Sequence, residues 1–237
     1  MNEAAKEKIV VALDVADADQ AVGILGELEG VGVWCKVGMQ LFTAAGPDVV
    51  REARSKGWRV FLDLKFHDIP NTVASGVTSA RALGVDMLTI HLGGGPGMVR
   101  RAVEAAGEDL LLLGVTVLTS STRADLEAVG TPHEPSDLVP QLAAMGLEDG
   151  LRGVVCSPLE LGVIRGRFAD RLRTVTPGVR PAGAELGDQR RVMTPGDAVR
   201  AGADWLVIGR PIIGAGDRRG AFEQIADEVA AAMPRRA

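Results

Sequence analysis

The stretch Arg59-Val60-Phe61-Leu62-Asp63-Leu64-Lys65-Phe66-His67-Asp68-Ile69-Pro70-Asn71-Thr72 runs from an apolar strand through a charged turn into the start of a helix. Residues 59–64 read as a central strand. Val60, Phe61, Leu62 and Leu64 leave no clean polar face, as expected where helices cover both sides of a parallel sheet. Side chains alternate along a strand, so Asp63 and Lys65 are expected on one side, Leu62 and Leu64 on the other, and His67 turned away from the pair. Asp68 lies beyond the strand, Pro70 ends the loop, and Asn71 or Thr72 opens the next helix.

The same unit recurs along the chain. Short runs rich in Val, Ile and Leu at 9–14, 33–37, 86–91, 110–118, 153–156, 173–176 and 205–208 join 59–65 to make eight predicted strands. Predicted helices between them include 17–28, 72–83, 97–106, 138–145 and 195–201, and 220–233 closes the chain. Gly84 and Gly202, in the punctuation 82–86 and 201–204, mark helix ends turning into the next strand. Residues 119–137 form the longest irregular piece, and no Pro/Ser/Gly-rich linker divides the sequence. Eight strand–helix units in 237 residues predict an α/β fold, a (β/α)8 TIM barrel forming a single domain over 1–237. A doubly wound open sheet is the alternative.

Composition narrows the function. A net charge of −5 argues against a polyanion partner such as nucleic acid, and the absence of Tyr weakens any base-stacking surface. Cys35 and Cys156 fit neither a disulfide framework nor a zinc spacing, so two reduced thiols are expected. The polar N-terminus and the short apolar run after it lack the form of a signal peptide, and no run is long enough to span a membrane; a cytoplasmic protein is expected.

Polar residues recur where the predicted strands end: Asp14, Lys36, Asp63 with Lys65, His91, Thr119, Ser157, Thr176 and Arg210. In a barrel these ends converge on the face where active sites are built. Lys36 ends the second strand and is expected beside Asp63, giving alternating Lys and Asp charges that tolerate burial because each has opposite neighbours. Two Asp with His67 nearby raise a metal site as an alternative, but Lys65 would repel a cation. An exposed ion pair without function is the plain reading of Asp63 and Lys65, and it would contribute little. His91 is expected to pack or support rather than to react.

A phosphate site is expected at the far end of the sheet. Thr176-Pro177-Gly178-Val179-Arg180 follows the seventh strand and Gly209-Arg210-Pro211 the eighth, where barrels often hold phosphate. Gly209 permits close backbone approach, and Arg180 and Arg210 supply forked donors. Residues 181–193, containing Asp188-Gln189-Arg190, read as a mobile lid. Gly93-Gly94-Gly95-Pro96-Gly97 lacks the G-x-G-x-x-G spacing of a dinucleotide site and reads as a tight loop.

Residues 63–72 closely resemble the D-x-K-x-x-D-I-P-N-T pattern of the orotidine 5'-phosphate decarboxylase family. The resemblance extends through Ala12-Leu13-Asp14, Lys36-Val37-Gly38, Val117-Leu118-Thr119-Ser120, Gly187-Asp188-Gln189-Arg190 and the two phosphate-end segments. It implies conversion of orotidine 5'-phosphate to UMP and CO2, the last step of de novo UMP synthesis, with no metal and no organic cofactor. It implies that Lys65 donates a proton to C6 of the pyrimidine, that Asp63 sits against the departing carboxylate, and that Lys36 and Asp14 contact the ribose hydroxyls. Asp68 and Thr72 would reach into the partner subunit's site of a homodimer, with Ile69 and Pro177 as further substrate contacts. Thr119, or Ser120 beside it, would meet the pyrimidine, and Arg180, Gln189, Gly209 and Arg210 would hold the phosphate.

Two other readings stay open on the residues. A Mg2+-dependent sugar-phosphate lyase, such as 3-keto-L-gulonate 6-phosphate decarboxylase or hexulose phosphate synthase, shares the D-x-K-x-x-D strand but carries an acidic metal ligand where this chain has Lys36. A non-catalytic nucleotide-binding barrel would bind UMP without turnover.

Overall fold

The structure, a computed structural model, describes residues 2–182 and 193–234. Eight parallel strands close a barrel in sequence order: β1 (Ile9–Ala12), β2 (Trp34–Gly38), β3 (Arg59–Phe66), β4 (Met87–His91), β5 (Leu111–Val115), β6 (Gly153–Val155), β7 (Arg173–Thr176) and β8 (Trp205–Ile208). The β1–β8 pairing, with Val10 opposite Val207, seals the ring. A closed barrel therefore replaces the open-sheet alternative. Among the described residues no helix is long and apolar enough to cross a membrane.

Local chemistry explains where the elements depart from expectation. The fifth strand stops at Val115 rather than 118, and residues 119–137 are not wholly irregular. Thr122 and Asp125 form a reciprocal capping box that starts a helix at Arg123–Ala128. Pro135, at the first position of Pro135–Glu148, begins the next helix earlier than its apolar pattern suggests. Between β2 and β3 two helices form, Met39–Ala45 and Asp48–Ser55; Gly46 adopts φ 63° and Pro47 follows it, so one helix ends and a second begins.

The core has two compartments. Outside the barrel, apolar strand residues pack on the helices, with Phe222, Ile225, Ala226 and Val229 of Arg218–Ala232 fully or nearly buried. Inside it, Val10, Ala12, Trp34, Phe61, Met87, Leu113, Val175 and Val207 fill the lumen. Gly153 faces Leu113 so closely that a Cβ there would lie 2.6 Å from the leucine side chain. The lower end is plugged by Trp34 and Trp205, edge to face at 5.8 Å, with the Arg59 guanidinium 4.0 Å over the Trp34 ring. With the lumen below apolar and filled, the charged side chains that face the inside of the barrel stand at its upper mouth.

Arg165 ties the seventh and eighth units together. It donates to the carbonyls of Gly202, Ala169 and Leu172, to Thr174 Oγ1 and to the Asp204 carboxylate, which also accepts the Thr174 N–H at 2.8 Å. Both side chains of the ion pair are 18% exposed. Removing one partner strands the other charge, so Arg165→Met is expected to lower stability by about 3 kcal/mol in urea unfolding. A loss below about 0.5 kcal/mol, typical of a surface position, would show that the pair is not structural.

Candidate active site

A cavity of about 590 Å³ opens at the C-terminal mouth of the barrel. Asp14, Lys36, Asp63 and Lys65 line one side, and Gly178, Arg180, Gly209 and Arg210 another. Thr119 and Pro177 also reach it. An apolar wall of Val115, Val117 and Val155 stands across from the charges, next to the lumen core.

The charged side is a chain of alternating sign. Lys36 Nζ donates to Asp14 Oδ1 at 3.0 Å and lies 3.6 Å from Asp63 Oδ2, while Lys65 Nζ donates to Asp63 Oδ1 at 2.8 Å. Lys36 is only 8% exposed and the Asp63 side chain 13%. Burial pushes the Asp63 carboxyl up, but the Lys36 and Lys65 ammonium groups and hydrogen bonds from Lys65 and Thr89 outweigh it and hold it below the ordinary carboxylate value. Gly38 makes room for the chain: a Cβ there would sit 3.0 Å from Lys36 Nζ.

Asp63 and Lys65 do meet, but not through the unbroken alternation expected from sequence. β3 pairs with β4 through Leu62↔Leu88 and then Phe66↔Ile90, so four residues of β3 span two of β4. Lys65 takes up the surplus at φ 51°, in the left-handed region that a side chain rarely adopts. Its backbone N–H donates to Thr89 Oγ1 at 2.9 Å, and Thr89 Oγ1 donates to Asp63 Oδ1 at 3.0 Å. Thr89 is fully buried and was not singled out from the sequence, although an isolated hydroxyl in the apolar strand Met-Leu-Thr-Ile-His was a readable signal.

Three of the polar strand ends point elsewhere. Ser157 caps the turn Pro158–Glu160, accepting the Leu159 N–H at 3.3 Å. Thr176 is buried on the helix side, because Val175 before it faces the lumen. His91 packs against His67 with ring centroids 5.4 Å apart and the rings tilted by 34°, outside the set of residues that line the cavity. Burial, His67 and Lys65 hold His91 below the usual imidazole value against a pull from Asp63. Both cysteines are buried; burial pushes Cys35 up to about 12 and Cys156 further in the same direction, so neither is a ready nucleophile.

At the expected phosphate end, the Arg180 N–H donates to the Met193 carbonyl at 3.0 Å, closing the base of the loop expected as a lid. Gln189, and residues 183–192 of that loop, lie outside the described residues. A Cβ on Gly209 would lie 3.4 Å from Ala12 and 3.5 Å from Asp14 Oδ2, so a bare backbone suits this corner. Asp68, Ile69 and Thr72 are missing from the described residues that line the cavity. Asp68 and Ile69 are exposed on the turn leading into Pro70–Ala82 and Thr72 is exposed in its first turn, with Ile69 67% exposed and the Asp68 carboxylate accepting the Ile69 N–H at 2.6 Å.

The Asp63 shift has a consequence for stability. A carboxyl with a depressed folded-state pKa binds fewer protons folded than unfolded. Its stabilising contribution is complete above the unfolded value of ~3.9 and disappears as pH falls through the lower folded value. Urea unfolding from roughly pH 2.5 to 6 is expected to show a loss of stability on the acid side that Asp63→Asn reduces. An identical acid limb in the variant would assign the proton uptake to other groups.

The profile of the Orotidine 5'-phosphate decarboxylase / HUMPS family matches residues 7–225. A protein of Syntrophotalea carbinolica named orotidine 5'-phosphate decarboxylase is 50% identical over 238 residues, covering 97% of each chain. One of the same name from Nitratidesulfovibrio vulgaris is 50% identical over 232 residues, covering 94% of this chain and 98% of its own. The crystal structure of orotidine 5'-phosphate decarboxylase from Lactobacillus acidophilus superposes with a TM-score of 0.84 at 37% identity, over 94% of this chain and 99% of that one. A closed eight-stranded barrel, a charged site at its mouth and similarity along nearly the whole chain agree: this protein belongs to the orotidine 5'-phosphate decarboxylase family.

Proposed function

We propose that the chain converts orotidine 5'-phosphate to UMP and CO2, as a cytoplasmic homodimer of single-domain barrels in which Asp68 and Thr72 of each chain complete the site of the other. The observation that carries this reading is the Asp14–Lys36–Asp63–Lys65 chain, which holds the Lys65 ammonium at the cavity, where a negative charge developing on a substrate would need it. Breaking the bond between C6 and the carboxylate leaves its electron pair on C6, with no cofactor required as a sink in this scheme. Lys65 stabilises that pair and then transfers a proton from Nζ to C6; water returns the proton to the amine. The ion pair with Asp63 keeps the ammonium aimed before substrate arrives. Asp63, held ionised, stands against the carboxylate that leaves.

The remaining contacts follow from position. Asp14 and Lys36 meet the ribose hydroxyls, and Thr119 meets the pyrimidine. Pro177 and Gly209 shape the far end, where Arg180 and Arg210, with Gln189 from the adjoining loop, take the phosphate. Binding energy from this remote phosphate is expressed in the transition state, so substrate lacking it loses rate as well as affinity. The outward placement of Asp68, Ile69 and Thr72 fits use by a second copy of the chain.

A Mg2+-dependent sugar-phosphate lyase is disfavoured by Lys36. Its ammonium already bridges Asp14 and Asp63, at 3.0 Å and 3.6 Å, where a cation would need both carboxylates. Turnover of orotidine 5'-phosphate is expected to persist in EDTA and to fall on the order of 10⁴-fold in Lys65→Ala, since proton transfer and charge stabilisation are lost together. Activity abolished by EDTA, or retained in Lys65→Ala, would overturn the reading. Mixing inactive Lys65→Ala chains with inactive Asp68→Ala chains leaves one intact site per heterodimer if Asp68 serves the partner. Recovery of activity on mixing is therefore expected, and none would place Asp68 in its own subunit's site.

A further inference from the structure

With the chain read as a decarboxylase, as proposed above, Thr89 of β4 stands out among the groups the mechanism leaves unused. It is polar, fully buried and in contact with both members of the Asp63–Lys65 pair. A hydroxyl has one proton to donate, and ionised Asp63 can only accept, so the Thr89 O–H is committed to Asp63 Oδ1 at 3.0 Å. A lone pair of the same oxygen accepts the Lys65 backbone N–H at 2.9 Å. Lys65 Nζ then returns to Asp63 Oδ1 at 2.8 Å, which closes a ring from the Lys65 backbone through Thr89 and Asp63 to the Lys65 ammonium.

We infer that Thr89 is a positioning residue for the reaction: its hydroxyl clamps the bulged Lys65 backbone and so sets where the Lys65 ammonium sits over the substrate. Two features of the fold require such a clamp. Lys65 is one of two non-glycine residues with positive φ among the described residues, and strained backbone persists only where surrounding contacts over-determine it. The β3–β4 ladder, which would otherwise fix the backbone, skips from Leu62↔Leu88 to Phe66↔Ile90 and offers Lys65 no pairing of its own. The β-branched Thr side chain is restricted about χ1, which keeps the hydroxyl aimed at both partners. At full burial, water has no access to replace it.

The test separates hydroxyl from volume. Thr89→Val keeps the shape and removes both hydrogen bonds, while Thr89→Ser keeps the hydroxyl and deletes a methyl group. Thr89→Val is expected to lower kcat on the order of 10²-fold with KM little changed, the scale of an ångström of misplacement at a reacting group. Thr89→Ser is expected to retain nearly wild-type kcat even where its melting temperature falls. Hydrogen exchange at the Lys65 amide should be slow in wild type and Thr89→Ser and fast in Thr89→Val. A Thr89→Val enzyme with wild-type kcat, or losses in both variants that track only their melting temperatures, would overturn the inference. If wild type fails to turn over orotidine 5'-phosphate, the functional reading fails by itself. The amide then decides for the clamp: lost protection in Thr89→Val supports it, and unchanged protection overturns it.

Discussion

Asp63 is a carboxylate held out of water between two ammonium groups, and the upper half of the barrel is arranged around that fact. A buried charge persists only if it is paired and hydrogen-bonded. Asp63 has Lys65 at 2.8 Å, Lys36 at 3.6 Å and the Thr89 hydroxyl at 3.0 Å. Lys36 in turn is balanced by Asp14, on the exposed side of the mouth. The result is a set of fixed charges that needs little reorganisation when negative charge appears on a substrate, the condition under which electrostatic stabilisation is most effective.

The barrel makes this arrangement possible by separating apolar from polar along its axis. Trp34, Phe61, Met87 and the valines of the lumen exclude water from below, and the tryptophan plug closes the base. Low polarity beneath the site strengthens each interaction above it. The charged end, on β2 and β3, and the segments after β7 and β8 that carry Arg180 and Arg210 face one cavity from different sides. A ligand that spans the mouth can therefore be gripped far from the atoms that change.

The turn after β3 faces outward. Asp68, Ile69 and Thr72 continue directly from the residues that carry the charge pair, yet they sit on the surface. A short segment thus supplies two environments, one buried at the mouth of the barrel and one exposed on its surface.

Much of this was legible in the sequence. Eight apolar runs with helices between them point to an α/β fold with a barrel ahead of an open sheet, because strand and helix periodicities are local properties of the chain, while the β1–β8 pairing that closes the ring is not. The residue types Asp14, Lys36, Asp63, Lys65, Thr119 and Arg210 at strand ends determine the chemistry available at its mouth. Strand-end position alone did not say which polar residues point inward: Ser157, Thr176 and His91 occupy equivalent places and face elsewhere. Nor did alternation explain how Asp63 and Lys65 meet. That depends on the bulge against β4, on φ 51° at Lys65 and on the hydroxyl of Thr89, 24 residues along the chain. Register between strands is a non-local property, set when the ring closes and every strand must match two neighbours at once. The sequence by itself determined which groups are present and on which end of the barrel; the tertiary structure decided which of them touch, because contact depends on pairing between segments that the chain brings together only when folded.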